Sequence, residues 1–234
     1  MKTYRKTVDD QTYFVVTDVD PVLHDALRGM MFAEFEEGFA RSFPSDAPHY
    51  KQYNNPATHL DQLFENFTRY TPDLILQSAK QQPVPWEKSL LAFLDIIQGH
   101  EFDWYLVGSG ALAVRGLPVE PGDLDLVVQG QSTIRLSELL LDYMVEPVIH
   151  SRDWVGEWFC RTFLHARFEW VGDVNPDLDD QGPTDFGPTA IKRCDTIVWH
   201  GHAIKVPPLD LQLAVCEARG LTERAKLIQQ AMKD

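Results

Sequence analysis

The chain is poor in cysteine, in positive charge and in long apolar runs. Its three cysteines, at 160, 194 and 216 of 234 residues, are odd in number and widely spaced. Neither a disulfide framework nor a zinc pattern follows from that spacing. Lysine and arginine number 21 against 35 aspartates and glutamates, for a net charge of −14. A nucleic-acid backbone is held chiefly by Lys and Arg, so general nucleic-acid binding is not expected, whereas a cationic acceptor would be attracted. No apolar run approaches the roughly 20 residues that cross a bilayer. Residues 1–10 lack the apolar core of a signal peptide. The expectation is a reduced, cytoplasmic protein with no membrane partner, long enough for one large or two small domains.

What is present concentrates at residues 104–128: Trp-Tyr-Leu-Val-Gly-Ser-Gly-Ala-Leu-Ala-Val-Arg-Gly, a short Pro-containing loop, then Pro-Gly-Asp-Leu-Asp-Leu-Val-Val. Residues 104–107 form an apolar run of strand length. Gly108 allows a tight turn, and Ser109 stands where a helix through Arg115 would begin. An open helix start presents unpaired N–H groups and partial positive charge, and phosphate is the anion expected there. Asp123 and Asp125 are two apart in a segment that continues Leu126-Val127-Val128. Strand alternation puts both carboxylates on one face and Leu124, Leu126 and Val128 on the other. Two carboxylates on one face repel, and a hard cation such as Mg2+ relieves that repulsion with oxygen ligands.

Val107-Gly108-Ser109, followed after a short helix by Asp123-Leu124-Asp125-Leu126, resembles the signature of the nucleotidyltransferase superfamily. The resemblance implies an α/β (α+β) fold with a small mixed sheet flanked by helices, two Mg2+ ions, and transfer of a nucleoside monophosphate from a nucleoside triphosphate to an acceptor hydroxyl. ATP is the favoured donor, and a small molecule is favoured over tRNA or a protein side chain as acceptor. The family typically carries a third carboxylate on a neighbouring strand, and Glu169 in Arg-Phe-Glu-Trp-Val matches its setting, with Asp173 as the fallback. On this resemblance Asp123, Asp125 and Glu169 are the catalytic and metal-binding residues, and Gly108 and Ser109 hold the phosphates. Arg115 is a phosphate ligand or a structural ion-pair residue. Small members of the superfamily often use a lysine of a C-terminal helix on the triphosphate. No lysine lies between Val206 and Arg224, so that role falls to Arg219 or Arg224, or is absent.

Two other readings compete. Residues 108–113 also fit Gly-x-Gly-x-x-Ala, the dinucleotide-binding fingerprint, which points to an oxidoreductase. The acids that should end the next strand about 20 residues on instead sit at its start. The other reading is a catalytically weak relative that binds nucleotide or a protein partner, in the manner of an antitoxin.

Elsewhere, alternation at 3–8 and 12–16 predicts a hairpin. Phe32, Phe35, Phe39 and Phe43 recur at helical spacing up to Pro44, and the polar stretch 45–58 reads as a loop. Leu60, Leu63, Phe64 and Phe67 predict one helix, and residues 74–79 a second after Pro72. Gln81-Gln82-Pro83-Val84-Pro85 predicts a boundary between a mostly helical region, 1–85, and a core with C-terminal helices, 86–234. That core should hold a helix at 86–98, a helix from Ser132 through Asp142, and one strand over 161–171. An Asp-, Gly- and Pro-rich loop follows at 175–188, its acids candidates for a cationic acceptor. Next come a hairpin turning at His200-Gly201-His202, a helix from Leu209 capped by Gly220, and a last helix from Thr222 to about Met232.

Overall fold

The computed structural model of the protein describes residues 1–34, 49–54, 57–130, 132–150, 155–180, 182 and 184–233. The chain divides into two compact units: Met1–Val84 with Leu141–Pro147, and Pro85–Leu140 with Val148–Asp234. The aromatic stripe at Phe35, Phe39 and Phe43 and residues 45–48 and 55–56 of the expected loop lie outside the described residues, whereas residues 49–54, expected as loop, form a strand. No helix among those described is long and apolar enough to cross a membrane.

In the first unit, β1 (Lys2–Val8) and β2 (Gln11–Thr17) form the expected hairpin, with Asp9 at φ +51° in the turn. A short helix α1 (His24–Gly29) follows, then β3 (Ala33–Glu34) and β4 (His49–Asn54). The strands pair as an antiparallel sheet in the order β1-β2-β4-β3. This sheet is the element that a mostly helical description of the region leaves out. Helix α2 (Leu60–Ser78) is continuous through Pro72, where the sequence predicted a break. Proline removes one hydrogen bond there, but Leu63, Phe67, Leu74 and Ile75 are buried along one face on both sides of it. Phe14 of β2 packs against the rings of Tyr53, Phe64 and Phe67. The segment Leu141–Pro147 belongs here too, because the Asn66 amide donates to the carbonyls of Leu141 (2.8 Å) and Met144 (2.9 Å).

The second unit opens with α3 (Trp86–Ile96), β5 (Trp104–Val107), α4 (Gly108–Val114), β6 (Leu124–Val128) and α5 (Ser132–Leu139). Strands β7 (Ile149–His150), β8 (Gly156–Phe163) and β9 (Arg167–Val174) complete a five-stranded mixed sheet in the order β5-β6-β9-β8-β7. Only the β6–β9 pairing is parallel. The single strand expected over 161–171 is therefore two antiparallel strands. The chain reverses at Leu164-His165-Ala166, where His165 takes a left-handed φ of +64° that strand periodicity does not reveal. Gly172 lets α5 approach β9: a Cβ there would lie 2.0 Å from the Thr133 hydroxyl. Phe93 of α3 packs on Trp104 of β5 and Phe168 of β9.

After α6 (Pro188–Arg193), the hairpin β10 (Asp195–Trp199) and β11 (His202–Val206) forms as expected. Helices α7 (Leu209–Ala218) and α8 (Thr222–Ala231) close the unit, with Gly220 at φ +66° between them. The class is α+β, with a mixed sheet and flanking helices.

Candidate functional site

Three neighbouring strands set the site. Val107, the last residue of β5, pairs with Asp125 of β6, and Asp125 pairs in turn with Glu169 of β9. Because β6 and β9 run parallel, these two acids stand side by side. Gly108 makes the bend out of β5 at φ +62°, a conformation that strongly favours glycine. A Cβ at Gly108 would lie 3.5 Å from Asp125 Oδ2, so the bend and the acid are immediate neighbours. A cavity of about 300 Å³ opens beside them, lined by Gly108, Asp125 and Glu169 together with Asp185, Arg219 and Arg224.

The expected residues divide accordingly. Gly108, Asp125, Glu169 and Arg219 border the cavity, whereas Ser109 is buried and does not line it. Asp123 precedes β6 and is ion-paired to Arg167, whose Nε also lies 3.4 Å from Glu169 Oε1. Glu169 is paired as well with Arg161 of β8, a buried guanidinium that faces it across the β8–β9 register. Arg115 is placed away from the phosphate role. Its guanidinium binds Asp195 Oδ2 at 2.5 Å and the Pro207 carbonyl at 2.8 Å, so it ties the end of α4 to the β10–β11 hairpin. Asp173, the fallback acid, accepts the Gly130 N–H at 2.7 Å, a bond between residues far apart in the chain. His200 and Gly201 form the hairpin turn, and His200 rests against the Trp199 ring.

Burial, and the like charges of Asp123 and Glu169, push the Asp125 carboxyl well above its usual range, with Arg167 opposing. Its carboxylate takes part in none of the ion pairs among the described residues that hold Asp123 and Glu169. A crowded oxygen donor of this kind fits Mg2+, which commonly keeps one or two carboxylates and completes its shell with water and phosphate oxygens. The pair Asp125 and Glu169 could supply such ligands. Among the described residues no three His, Cys, Asp or Glu are grouped to hold a metal. Asp123, the third acid of the expected metal set, is held by Arg167.

Sequence reasoning passed over two cavity residues. Gln212 of α7 donates from Nε2 to the Gly108 carbonyl at 3.0 Å, while its Oε1 is buried without a partner among the described residues. Asp185 precedes α6 and is only 5% exposed. Burial pushes its carboxyl up to about 6, against hydrogen bonds from the N–H groups of Gly108 and of Asp185 itself and against the charges of Arg219 and Arg224. The N–H of Gly108, expected to be free for phosphate, is thus directed at a carboxylate of the chain. The only sequence signal was the acid-rich composition of 175–188, which does not single out one acid.

A carboxyl that holds its proton more tightly in the folded than in the unfolded chain stabilises the fold while protonated. That stability is fully present below the unfolded value of 3.8 and is lost as pH rises through about 6. The shift corresponds to on the order of 3 kcal/mol. Asp185→Asn should therefore unfold at higher urea than the wild type at pH 7.5, with the gap closing near pH 4. Urea titrations at several pH values read this directly, and a gap independent of pH would contradict it.

Neither a protein-family model nor a curated protein matches the chain. Similar solved structures include a candidate nucleotidyltransferase from Thermotoga maritima, 20% identical, with a TM-score of 0.49 over 65% of this chain and 96% of that one. An antigenic nucleotidyltransferase-like protein from Paracoccidioides brasiliensis is 15% identical, with a TM-score of 0.34 over 56% of this chain and 65% of that one. No residue role is carried over from either.

Proposed function

We propose that the chain is a metal-dependent nucleotidyltransferase that moves a nucleoside monophosphate from a nucleoside triphosphate, ATP first, to a hydroxyl of a small-molecule acceptor. The observation that carries this reading is the register Val107–Asp125–Glu169, which brings the Gly108 bend and two carboxylates to the edge of one cavity. Its motif, Val-Gly-Ser with Asp-Leu-Asp, is the one that resembles the superfamily. The unpartnered Gln212 Oε1 is a buried acceptor that a donor on the ligand would satisfy, and leaving such a group unpaired costs roughly 1–3 kcal/mol.

Asp125 and Glu169 would hold the cation, and Asp123 could join them only on leaving Arg167. When bound, Mg2+ would offset charge on the phosphate oxygens and favour ionisation of the acceptor hydroxyl. Arg219 and Arg224 would face the triphosphate, in place of the lysine that this chain lacks. A net charge of −14 disfavours tRNA as acceptor and favours a cationic small molecule. A cytoplasmic setting with ATP and Mg2+ suits such chemistry.

The test is incubation of the protein with Mg2+, labelled ATP and a cell extract, followed by mass spectrometry for a species that has gained a nucleotide. ATP with Mg2+ should also raise the melting temperature. A second reading, nucleotide or partner binding without turnover, is favoured by the arginines that hold Asp123 and Glu169. ATP binding without pyrophosphate release across broad acceptor screens would select it. The dinucleotide reading fits poorly, because β5 and β6 pair antiparallel and not as the parallel strands of a β-α-β unit. Stabilisation by NAD but not by ATP would restore it.

A further inference from the structure

We propose that Asp185 holds the seat of an anionic ligand group in this cavity, so that a polyphosphate binds by displacing its carboxylate. The inference rests on the reading of the cavity as a polyphosphate site and adds a residue that sets its affinity. Four observations meet at this side chain. Asp185 lines the cavity with Gly108, Arg219 and Arg224 and is 5% exposed. The donors that stabilise it are those a phosphate oxygen would use: the Gly108 N–H, with the charges of Arg219 and Arg224. No ion pair among the described residues takes up either arginine, and both act electrostatically on this carboxylate within the cavity. Beside them Gln212 Oε1 is buried with no donor among the described residues.

The loop that carries Asp185 is built to present it. Asp179 accepts hydrogen bonds from the Thr184 N–H (3.0 Å), the Thr184 hydroxyl (3.3 Å) and the Thr189 N–H (2.7 Å), which brackets residue 185 on both sides. Gly187 packs against this clamp so closely that a Cβ there would lie 2.2 Å from Asp179 Oδ1. A carboxylate and a phosphate cannot share these donors without strong repulsion in a buried setting. One must leave. The seat therefore discriminates against weakly charged anions and admits a ligand whose several negative charges engage both arginines at once.

Isothermal titration calorimetry with inorganic tripolyphosphate, with and without Mg2+, tests the proposal on the full chain. Asp185→Asn keeps the shape and removes the charge, and it should bind tripolyphosphate at least about tenfold more tightly than the wild type. Asp185→Glu, which keeps the charge, should bind no better than the wild type. Asp180→Asn removes the same charge from the exposed part of the loop and should leave affinity unchanged. Equal or weaker binding by Asp185→Asn overturns the proposal, while the nucleotide reading survives if the wild type binds ATP. Loss of binding in every protein, wild type included, overturns both. If Asp185→Asn does not fold, the wild type still decides: the carboxyl carbon resonance of Asp185 and the amide resonance of Gly108 should shift together as tripolyphosphate is added. A ligand that saturates the protein without moving Asp185 overturns the inference.

Discussion

Asp125→Asn is expected to reduce nucleotidyl transfer by about a thousandfold or more while leaving the protein folded. The magnitude follows from the role proposed for it: a held cation supplies several kcal/mol of transition-state charge stabilisation, and a neutral amide in its place forfeits most of that. The argument for Asp125 over its neighbours is one of available charge. Asp123 is paired with Arg167 and Glu169 with Arg161 and Arg167, whereas no ion pair among the described residues holds Asp125. It also sits closest to the Gly108 bend. The same surroundings predict the stability of the variant. Burial and two like charges raise the Asp125 carboxyl, so its ionised form costs stability that is regained only as pH falls below the folded value. Asparagine removes that cost, and the variant should be at least as stable as the wild type at pH 7.5. A merely structural Asp125 would give the opposite pair of results, an active or proportionately less active enzyme with a lowered urea midpoint. Activity within tenfold of wild type in a folded Asp125→Asn protein would remove the carboxylate from the mechanism.

The centre of the site was legible because it is local. Gly108 to Val114 and Leu124 to Val128 are close in sequence, their periods are clear, and the turn at Gly108 needs a residue type that the sequence displays. Even Glu169 could be placed, since the resemblance to the superfamily points to an acid set between apolar residues, and that setting survives the error of reading β8 and β9 as one strand. What stayed hidden depends on pairs far apart in the chain. Arg115 meets Asp195 across 80 residues, and nothing at Arg115 itself separates a structural partner from a phosphate ligand. Asp185 is one acid among several in a loop, distinguished only by burial against Gly108 and two arginines of the last helices. The return of Leu141–Pro147 to the first unit is equally silent, because a helix prediction from Ser132 through Asp142 carries the chain past the point where α5 ends.

That returning segment carries the second large effect, in which Glu146→Ala destabilises the first unit by roughly 3–5 kcal/mol. Lys51 Nζ and Glu146 Oε1 are 2.7 Å apart with side chains 6% and 4% exposed, and the ammonium also lies 5.0 Å from the centre of the Phe32 ring. Deleting the carboxylate takes a close partner from an ammonium that is only 6% exposed on β4, and the cost is set by the poorer compensation of that buried charge more than by the lost attraction. The companion experiment separates the two terms. Replacing both residues, Lys51→Met with Glu146→Leu, removes charge and partner together and should recover most of the loss. None of the six tryptophans lies within residues 1–84 or 141–147 of the sequence. Far-UV circular dichroism should therefore show the Glu146→Ala loss, while the tryptophan fluorescence transition reports the second unit. A midpoint shift worth less than about 1 kcal/mol would mean that water reaches Lys51, as at an exposed ion pair. A double variant no better than Glu146→Ala alone would place the cost in packing around residues 141–147 and not in the buried ammonium.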